Sequence, residues 1–138
     1  MLLTYIDYLY ILYIDNLYIG GLYISIDKSL MAGSTTILVL KLLEERDMYG
    51  YQMIETLAQR SDDTFNLKAG TLYPILHNLR NNGYVESYEK EESNGKIRKY
   101  YYLTSKGKKL LREKQKEWIT FSSAVNKILN GGLSYEPI

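Results

Sequence analysis

The 138-residue sequence contains no cysteine and only one histidine, His77. The absence of cysteine excludes disulfide bonds and thiol chemistry, and it is compatible with a reducing cytoplasm. With a single histidine and no pair of carboxylates placed by spacing, the sequence supports neither a zinc site nor a Ser/His catalytic triad. We therefore expect a cytoplasmic protein that is not an enzyme and that needs no metal or cofactor.

The net charge is also small, at only +1, but the basic residues are concentrated between positions 96 and 116. That segment contains one acid, Glu113, and nine basic residues: Lys96, Arg98, Lys99, Lys106, Lys108, Lys109, Arg112, Lys114 and Lys116. A clustered positive field of this kind attracts polyanions. The alternative interpretation is a solvated helix face together with a lysine-protected edge strand.

Residues 1–26 contain no Lys or Arg and repeat the tripeptide Leu-Tyr-Ile from positions 9, 12, 17 and 22. A signal peptide would need a positive start, and Asp7, Asp15 and Gly20-Gly21 argue against a transmembrane helix. An amphipathic or β-like arm is a third interpretation, but so apolar a segment would have to be buried. We expect a leader outside the functional module, such as translated upstream sequence, and no membrane association.

Three helices are predicted next. Ser34-Thr35-Thr36 are candidate N-caps for a first helix over residues 37–46. This run is apolar nearly all round, so it needs cover on more than one side, from the last helix or from another chain. Residues 47–50 break the pattern, a second helix follows over 51–60, and a third runs from about 68 to 82 and ends at Gly83.

Two strands and a long helix complete the pattern. Residues 84–90 and 96–103 favour strands, and Asn94-Gly95 between them suits a primed turn. Thr104 then caps a helix over about 105–129. Acids cluster in or beside the first strand, where they are better explained as charge partners of the basic strand than as a catalytic pair: Glu86, Glu89, Glu91 and Glu92.

Three helices followed by a hairpin is the order of a winged helix-turn-helix, an α+β fold that is mainly α. At 100° per residue, one stripe of the third helix is apolar (Leu72, Ile75, Leu76 and Leu79), and the opposite face is small and polar. Such a face can approach a DNA groove while a basic hairpin contacts phosphates. The candidate DNA-binding residues are Lys68, Gly70, Thr71, Tyr73, His77, Asn78, Lys96, Arg98 and Lys99.

Strand alternation divides the basic hairpin between two faces. Arg98 shares a face with Tyr100 and Tyr102, whereas Lys99 shares the other with Tyr101 and Leu103, which should be core. Arg98 and Lys99 therefore cannot both reach DNA in the same way. We expect the tyrosines to pack on the sheet rather than to stack on bases, and Tyr73 has partial burial as its alternative role.

The last helix extends beyond the winged-helix module, so its far half has little of its own chain to pack against. From Trp118 its apolar residues recur at steps of three, four and three, which is typical of a one-sided seam. We expect a leader (1–26), a winged-helix domain (27–104), a dimerisation helix (105–130) and a tail (131–138). A homodimer is the simplest solution, with an interface formed by Leu38, Leu42, Leu110, Leu111, Trp118, Phe121, Val125 and Ile128.

Three motifs resemble the PadR family of bacterial transcriptional regulators across about residues 28–129. They are Tyr49-Gly50-Tyr51-Gln52, Gly70-Thr71-Leu72-Tyr73-Pro74, and Arg98-Lys99-Tyr100-Tyr101 followed by Leu103-Thr104 and Gly107. The single short C-terminal helix resembles the compact subfamily. The resemblance implies a homodimeric winged-helix repressor of a pseudo-palindromic operator, with Thr71 and Tyr73 on the recognition helix and Arg98 and Lys99 in the wing.

Two positions depart from that family pattern. Many members have Ser-Pro before Gly-Thr, whereas this chain has Lys68-Ala69. The helix cap is therefore expected to be weaker, and Lys68 becomes a candidate phosphate ligand. The Tyr-rich leader has no counterpart in the pattern.

Some compact relatives resemble multidrug sensors, in which a tryptophan on the C-terminal helix stacks on flat aromatic ligands between protomers. Trp118 falls at the matching place, so the resemblance implies a planar aromatic effector at Trp118 and Phe121; simple packing of Trp118 in a dimer seam is the alternative. A different class of function is a winged-helix protein-interaction module that does not bind DNA. That class would present an apolar patch on the third helix in place of a polar face.

Overall fold

Four helices and a three-stranded antiparallel sheet make up residues 26–131, the part of the chain that the computed structural model describes. The helices are α1 (Lys28–Glu45), α2 (Gly50–Arg60), α3 (Ala69–Asn81) and α4 (Ser105–Leu129). The strands are β1 (Met48–Tyr49), β2 (Val85–Glu91) and β3 (Ile97–Leu103). This is the α+β winged helix-turn-helix order that the sequence predicts. The predictions for residues 1–25 and 132–138 lie outside the described residues.

Helix α1 begins nine residues earlier than the first helix predicted from the sequence. Asp27 is its N-cap. The carboxylate accepts hydrogen bonds from the Ser29 hydroxyl at 2.6 Å and from the Ser29 backbone N–H at 2.8 Å, and both lower the pKa of Asp27. The predicted caps lie inside the helix instead. The Thr35 hydroxyl donates to the Met31 carbonyl at 3.0 Å, because Ser and Thr within a helix can bond back to the preceding turn.

The sequence predicts only a break between two helices at the position where the structure has strand β1. Met48 and Tyr49 pair with Tyr101 and Tyr100 of β3, and the strand order is β1-β3-β2. A strand of two residues carries no recognisable alternation. Its partner lies about fifty residues further along the chain, so only the tertiary fold creates this strand.

The hairpin of β2 and β3 has the predicted alternation but a different turn. The register runs from Val85 opposite Leu103 to Glu91 opposite Ile97. The Glu92 N–H donates to the Lys96 carbonyl at 2.8 Å, which leaves a three-residue loop that ends at Gly95 with φ +82°. Asn94 has no positive φ, so the predicted primed turn is wrong, and the loop belongs to the three-residue class with a left-handed glycine.

The core lies between α1, α2, α3 and the inner face of the sheet. Its buried side chains are Val39, Leu40, Leu42, Leu43, Met48, Met53, Leu57, Leu72, Leu76, Leu79, Val85, Tyr101, Leu103 and Leu111. Helix α1 is covered by both the sheet and α4, so the last helix supplies the second cover that the apolar run of α1 requires.

This central position of α1 corrects the predicted dimer surface. Leu42 and Leu111 retain only 2% and 0% of their exposure within one protomer. Both side chains belong to the hydrophobic core of their own chain, in which α1 packs against the sheet and α4. These two residues therefore present no surface to a second copy.

The junction between the hairpin and α4 is closely packed. As predicted, Thr104 caps α4: its hydroxyl oxygen accepts from the Gly107 N–H at 3.0 Å. The same hydroxyl lies 2.7 Å from the Gly83 carbonyl oxygen, to which it can donate. Gly107 is buried against the Tyr84 carbonyl and the Leu103 side chain. One threonine thus ties the start of α4 to the end of α3.

Candidate nucleic-acid interface

The outer face of α3 is small and polar, as the helical wheel predicts. Leu72, Leu76 and Leu79 are buried on the inner side. All of the predicted outer residues are exposed: Gly70, Thr71, Tyr73, Pro74, His77, Asn78 and Asn81. The helix ends as predicted too, because Gly83 follows the C-cap with φ +78°. This face offers hydrogen-bonding groups and little bulk near the start of the helix.

The N-terminus of α3 is free of side-chain caps. Lys68 occupies the N-cap position and makes no side-chain capping hydrogen bond, in agreement with the weaker cap expected from Lys68-Ala69. Nothing lies within 4 Å of where a Cβ on Gly70 would be. The uncapped N–H groups and the positive end of the helix dipole make this end suitable for a phosphate oxygen.

The Tyr73 side chain is partly exposed and partly packed against α2. Its side chain is 45% exposed on the outer face of α3. The phenol end nevertheless lies on α2, since a Cβ added to Gly50 would be 2.5 Å from the Tyr73 Oη and 2.8 Å from its Cζ. The packing interpretation therefore applies to the hydroxyl end of Tyr73, which is also its hydrogen-bond donor, although the residue as a whole keeps 45% of its exposure.

The basic residues of the hairpin differ in their surroundings. Lys96 and Lys99 are exposed, whereas Arg98 is half-buried. The Arg98 guanidinium carbon lies 4.5 Å from the centroid of the Tyr49 ring, in cation–π geometry. The division of Arg98 and Lys99 between the two faces of β3 is confirmed, and it gives them unlike environments.

Four tyrosines cover the outer face of the sheet around Arg98. Tyr88 and Tyr100 stack with ring centroids 5.6 Å apart, and Tyr49 meets Tyr100 edge-on at 5.4 Å. Tyr102 lies 6.1 Å from Tyr88. These contacts agree with the prediction that the hairpin tyrosines pack on the sheet.

Two carboxylates accept hydrogen bonds from this tyrosine face. The Tyr88 hydroxyl donates to Asp47 at 2.8 Å, and the Tyr100 hydroxyl donates to Glu92. The bond to Glu92 raises the pKa of Tyr100 to about 12, because ionisation would turn a donor into a second anion. The bond to Asp47 raises the pKa of Tyr88 for the same reason.

The acids of β2 do not form the expected ion pairs with the basic strand. Glu89 lies opposite Lys99 in the register. Within residues 26–131, however, the ion pairs are Lys41–Glu44, Arg60–Glu45 and Lys114–Glu117, none of which joins β2 to β3. Among these described residues, no carboxylate therefore lies at ion-pair distance from a positive charge of the wing.

The start of α4 adds further cations, but not all of them are free. The Lys106 ammonium donates to the Asn82 carbonyl at 2.8 Å and lies 4.9 Å from the Tyr84 ring centroid. Lys114 pairs with Glu117 at 3.0 Å. The other basic residues of this helix segment are exposed: Lys108, Lys109, Arg112 and Lys116.

An apolar groove lies between the first half of α1 and the middle of α4. Its volume is about 990 Å³, and its lining includes Trp118, Phe121 and Val125. The rings of Trp118 and Phe121 are 6.3 Å apart and are 47% and 60% exposed. The structure thus brings together the two residues predicted to bind an effector.

The predicted dimer residues fall into three groups. Leu42 and Leu111 are buried, whereas Leu38, Leu110 and Val125 are half-buried and Trp118, Phe121 and Ile128 are exposed. On α1 and α4, sequence reasoning missed three other exposed apolar residues, Leu30, Ile119 and Leu129, at 71%, 63% and 75% exposure. Leu30 was missed because the first helix was expected to begin after it.

Neither a metal site nor a membrane span is found in the part of the chain that the structure describes. Residues 26–131 hold no group of three or more His, Asp or Glu side chains that could ligate a metal ion. None of the four described helices combines the length and the apolar character required to cross a bilayer.

An exposed polar helix beside a cationic hairpin defines a winged helix-turn-helix of the DNA-binding regulator class. Comparison with known proteins gives the family. Residues 39–113 match the transcriptional regulator PadR-like family, and the chain belongs to that family. The resemblance read from the sequence motifs is thereby confirmed.

Similar proteins extend over most of the chain. An uncharacterized protein of Lysinibacillus sphaericus is 32% identical over 102 residues, which are 74% of this chain and 94% of that protein. A transcriptional regulator from Clostridium thermocellum has 33% identity and a TM-score of 0.68, over 72% of this chain and 97% of its own. A PadR-like transcriptional regulator from Bacillus cereus has 30% identity and a TM-score of 0.67, over 75% and 99%.

Proposed function

We propose that this DNA-binding regulator is a cytoplasmic homodimeric repressor. Its two winged helices bind the halves of a pseudo-palindromic operator, and a planar aromatic small molecule releases it. The observation that carries this proposal is the presence, on one chain, of a helix with an exposed polar face and a separate exposed apolar surface on α1 and α4.

In the proposed complex α3 enters the major groove. Thr71, Tyr73, His77 and Asn78 offer hydrogen bonds to base edges or phosphates, and Gly70 leaves room for close approach. Lys68 and the uncapped start of α3 contact phosphate on one side of the groove. Lys96 and Lys99 contact phosphate from the wing.

The number of phosphate contacts favours two copies over one. Three or four phosphate contacts per protomer give about six to eight per dimer, so affinity falls on the order of a thousandfold or more between about 50 and 200 mM salt. A single protomer with only about three or four of these contacts would bind too weakly to occupy one site in a genome. Two copies related by a two-fold axis read two half-sites, which accounts for a pseudo-palindromic operator.

The exposed apolar surface supplies the dimer contact. Trp118, Ile119, Phe121, Ile128 and Leu129 of α4 are 47%, 63%, 60%, 80% and 75% exposed in one protomer. An apolar surface of this kind is unfavourable in water and marks an interaction site. We propose that a second copy buries it, together with the half-buried side chains Leu38, Leu110 and Val125.

The groove at Trp118 and Phe121 is the proposed effector site. Its lining is predominantly apolar, and its two aromatic rings can stack on a flat ligand. Because the groove touches both α1 and α4, a ligand there contacts the helices that join the two winged helices. Occupancy would thus alter the spacing of the two recognition helices.

The alternative of a protein-interaction module without DNA binding receives no support from α3. That alternative requires an apolar patch on its outer face, yet the exposed residues there are polar or small apart from Tyr73 and Pro74.

Footprinting of the full-length protein on the DNA immediately upstream of its own gene tests the proposal, with sedimentation analysis of the same sample. We expect protection of two half-sites about one helical turn apart and a dimer in solution. A monomer, or protection without two-fold symmetry, would overturn the proposed assembly. Retention of the footprint at high salt would contradict the role given to the phosphate contacts.

A further inference from the structure

We propose that the dipeptide Tyr49-Gly50 couples the wing to the recognition helix, and that Arg98 is a positioning residue of the wing rather than a phosphate ligand. This inference deepens the proposed function, because it assigns how the two DNA-contacting elements keep a fixed relative orientation. It rests on the proposed use of α3 and the wing for DNA, and part of its test is independent of DNA.

The first half of the coupling is the contact between α3 and α2. The Tyr73 phenol lies so close to Gly50 that an added Cβ would be 2.5 Å from the hydroxyl oxygen and 3.2 Å from Cε1. Gly50 is buried beneath this ring. Only a residue without a side chain permits the approach, so Gly50 determines where the Tyr73 ring, and with it the first turns of α3, rests on α2.

The second half is the contact between Tyr49 and the wing. Tyr49 precedes Gly50 directly, and it pairs with Tyr100 of β3 through the backbone. Its backbone N–H also donates to the Gln52 side chain at 3.2 Å, which fixes it to the first turn of α2. The same residue is therefore held by α2 on one side and by the root of the wing on the other.

Arg98 makes the last of the contacts that link α3 to the wing. Its guanidinium carbon is 4.5 Å from the Tyr49 ring centroid, and the Tyr49 ring in turn meets the Tyr100 ring at 5.4 Å. A guanidinium held over a tyrosine ring is less available to a phosphate, and the half-buried state of Arg98 limits its reach. Lys96 and Lys99 are exposed on the same hairpin. In the wing, Arg98 therefore serves to position the hairpin, whereas Lys96 and Lys99 provide the exposed positive charge.

A spin label at the wing tip tests the coupling without DNA. The chain has no cysteine, so Ser93→Cys in the full-length protein provides a single nitroxide site. We expect Tyr49→Leu and Arg98→Lys to increase the mobility of the label, because each removes the contact between the guanidinium and the tyrosine ring. Tyr49→Phe, which keeps the ring, is the matched control and should leave the mobility unchanged.

Gly50→Ala tests the other half of the coupling. Its new Cβ displaces the Tyr73 ring, and we expect the label at position 93 to become more mobile although Gly50 lies outside the wing. If this variant does not fold, as judged by its circular dichroism, Tyr73→Leu removes the ring without a clash and should have the same effect. An unchanged label in the folded variant would overturn the coupling.

DNA binding separates a positioning role from a phosphate contact. The probe is a random-sequence duplex of about 30 base pairs, for which phosphate contacts dominate affinity. We expect Arg98→Met and Arg98→Lys each to weaken binding about three- to tenfold, the range of a cation–π contact, without changing the salt dependence. Tyr49→Leu should do the same, and the double variant with Arg98→Met should be no weaker than either single variant.

A phosphate ligand would behave differently. Arg98→Met would then lower the slope of log K against log salt by about 0.9 for each protomer, Arg98→Lys would restore it, and Tyr49→Leu would leave binding unchanged. That result would overturn the positioning role. If the parent protein shows no salt-dependent binding while the label still responds to Tyr49→Leu, the proposed function fails and the coupling stands.

Discussion

The Lys106 ammonium lies 2.8 Å from the carbonyl oxygen of Asn82, the C-cap residue of α3. Carbonyls at a helix C-terminus lack intrahelical partners and carry partial negative charge. Lys106 satisfies one of them and also lies against the Tyr84 ring. A basic residue that looks like part of the DNA-binding charge therefore serves the fold, and this distinction can be measured.

Lys99→Gln and Lys106→Gln form a matched pair for that measurement. Lys99→Gln should reduce the salt slope of binding to a random duplex by about 0.9 per protomer with little effect on stability. Lys106→Gln should leave the slope unchanged but lower the free energy of unfolding by about 0.5–1.5 kcal/mol, because it removes a capping hydrogen bond. Equal slopes for both variants would contradict the proposed role of Lys99.

Alanine substitutions at Gly107 and at Gly33 should have opposite effects on the stability of the protein. At Gly107 a Cβ would collide with the Tyr84 carbonyl and the Leu103 side chain, so Gly107→Ala should destabilise the protein by about 1–3 kcal/mol. Gly33 lies within α1 with nothing within 4 Å of the Cβ position, so Gly33→Ala should stabilise it by about 0.5–1 kcal/mol. Urea unfolding measures both; a stable Gly107→Ala variant would contradict the packing at this junction.

Gly70→Ala separates DNA contact from folding. The Cβ position is empty in the free protein, so α3 should be as stable as before or slightly more stable. The new methyl group would nevertheless face the DNA in the proposed complex and hold the helix away from the groove. We expect weaker operator binding with unchanged thermal unfolding. Unaltered affinity would show that this end of α3 does not approach DNA closely.

Trp118 is the only tryptophan, so its fluorescence reports on the proposed effector groove. Titration with planar cationic dyes should quench the emission and release bound DNA in a mobility assay. Phe121→Ala should weaken dye binding, whereas Thr120→Ala, on the same helix but outside the groove lining, is the control. No quenching and no change in DNA mobility would remove the effector from the proposal.

The hydrogen bond between Tyr100 and Glu92 should be lost at alkaline pH, and the protein should lose stability with it. Hydrogen bonding to Glu92 raises the pKa of Tyr100 from 10.0 to about 12, so the folded state holds its proton longer than the unfolded state does. Stabilisation from this bond is fully present below pH 10 and disappears between 10 and about 12. The stability difference between the wild type and Tyr100→Phe should shrink across that interval in urea unfolding. A constant difference would contradict the hydrogen bond.

Much of the fold is determined by local sequence. The apolar stripe of α3, the left-handed Gly83 at its end and the Thr104 cap of α4 were all predicted, because periodicity and capping act within a few residues. The same reasoning divided Arg98 and Lys99 between two faces, since alternation in a strand depends only on the strand itself.

Other features depend on residues that are distant in sequence, and the tertiary structure decided them. Leu42 and Leu111 are apolar positions suited equally to a core or an interface, and only the tertiary packing of the helices and the sheet placed them in the core. β1 exists because Tyr101 lies beside Met48. The structure also changed the roles assigned to Arg98 and Lys106. The sequence shows that both are positively charged, but only the fold places Arg98 against Tyr49 and Lys106 against Asn82.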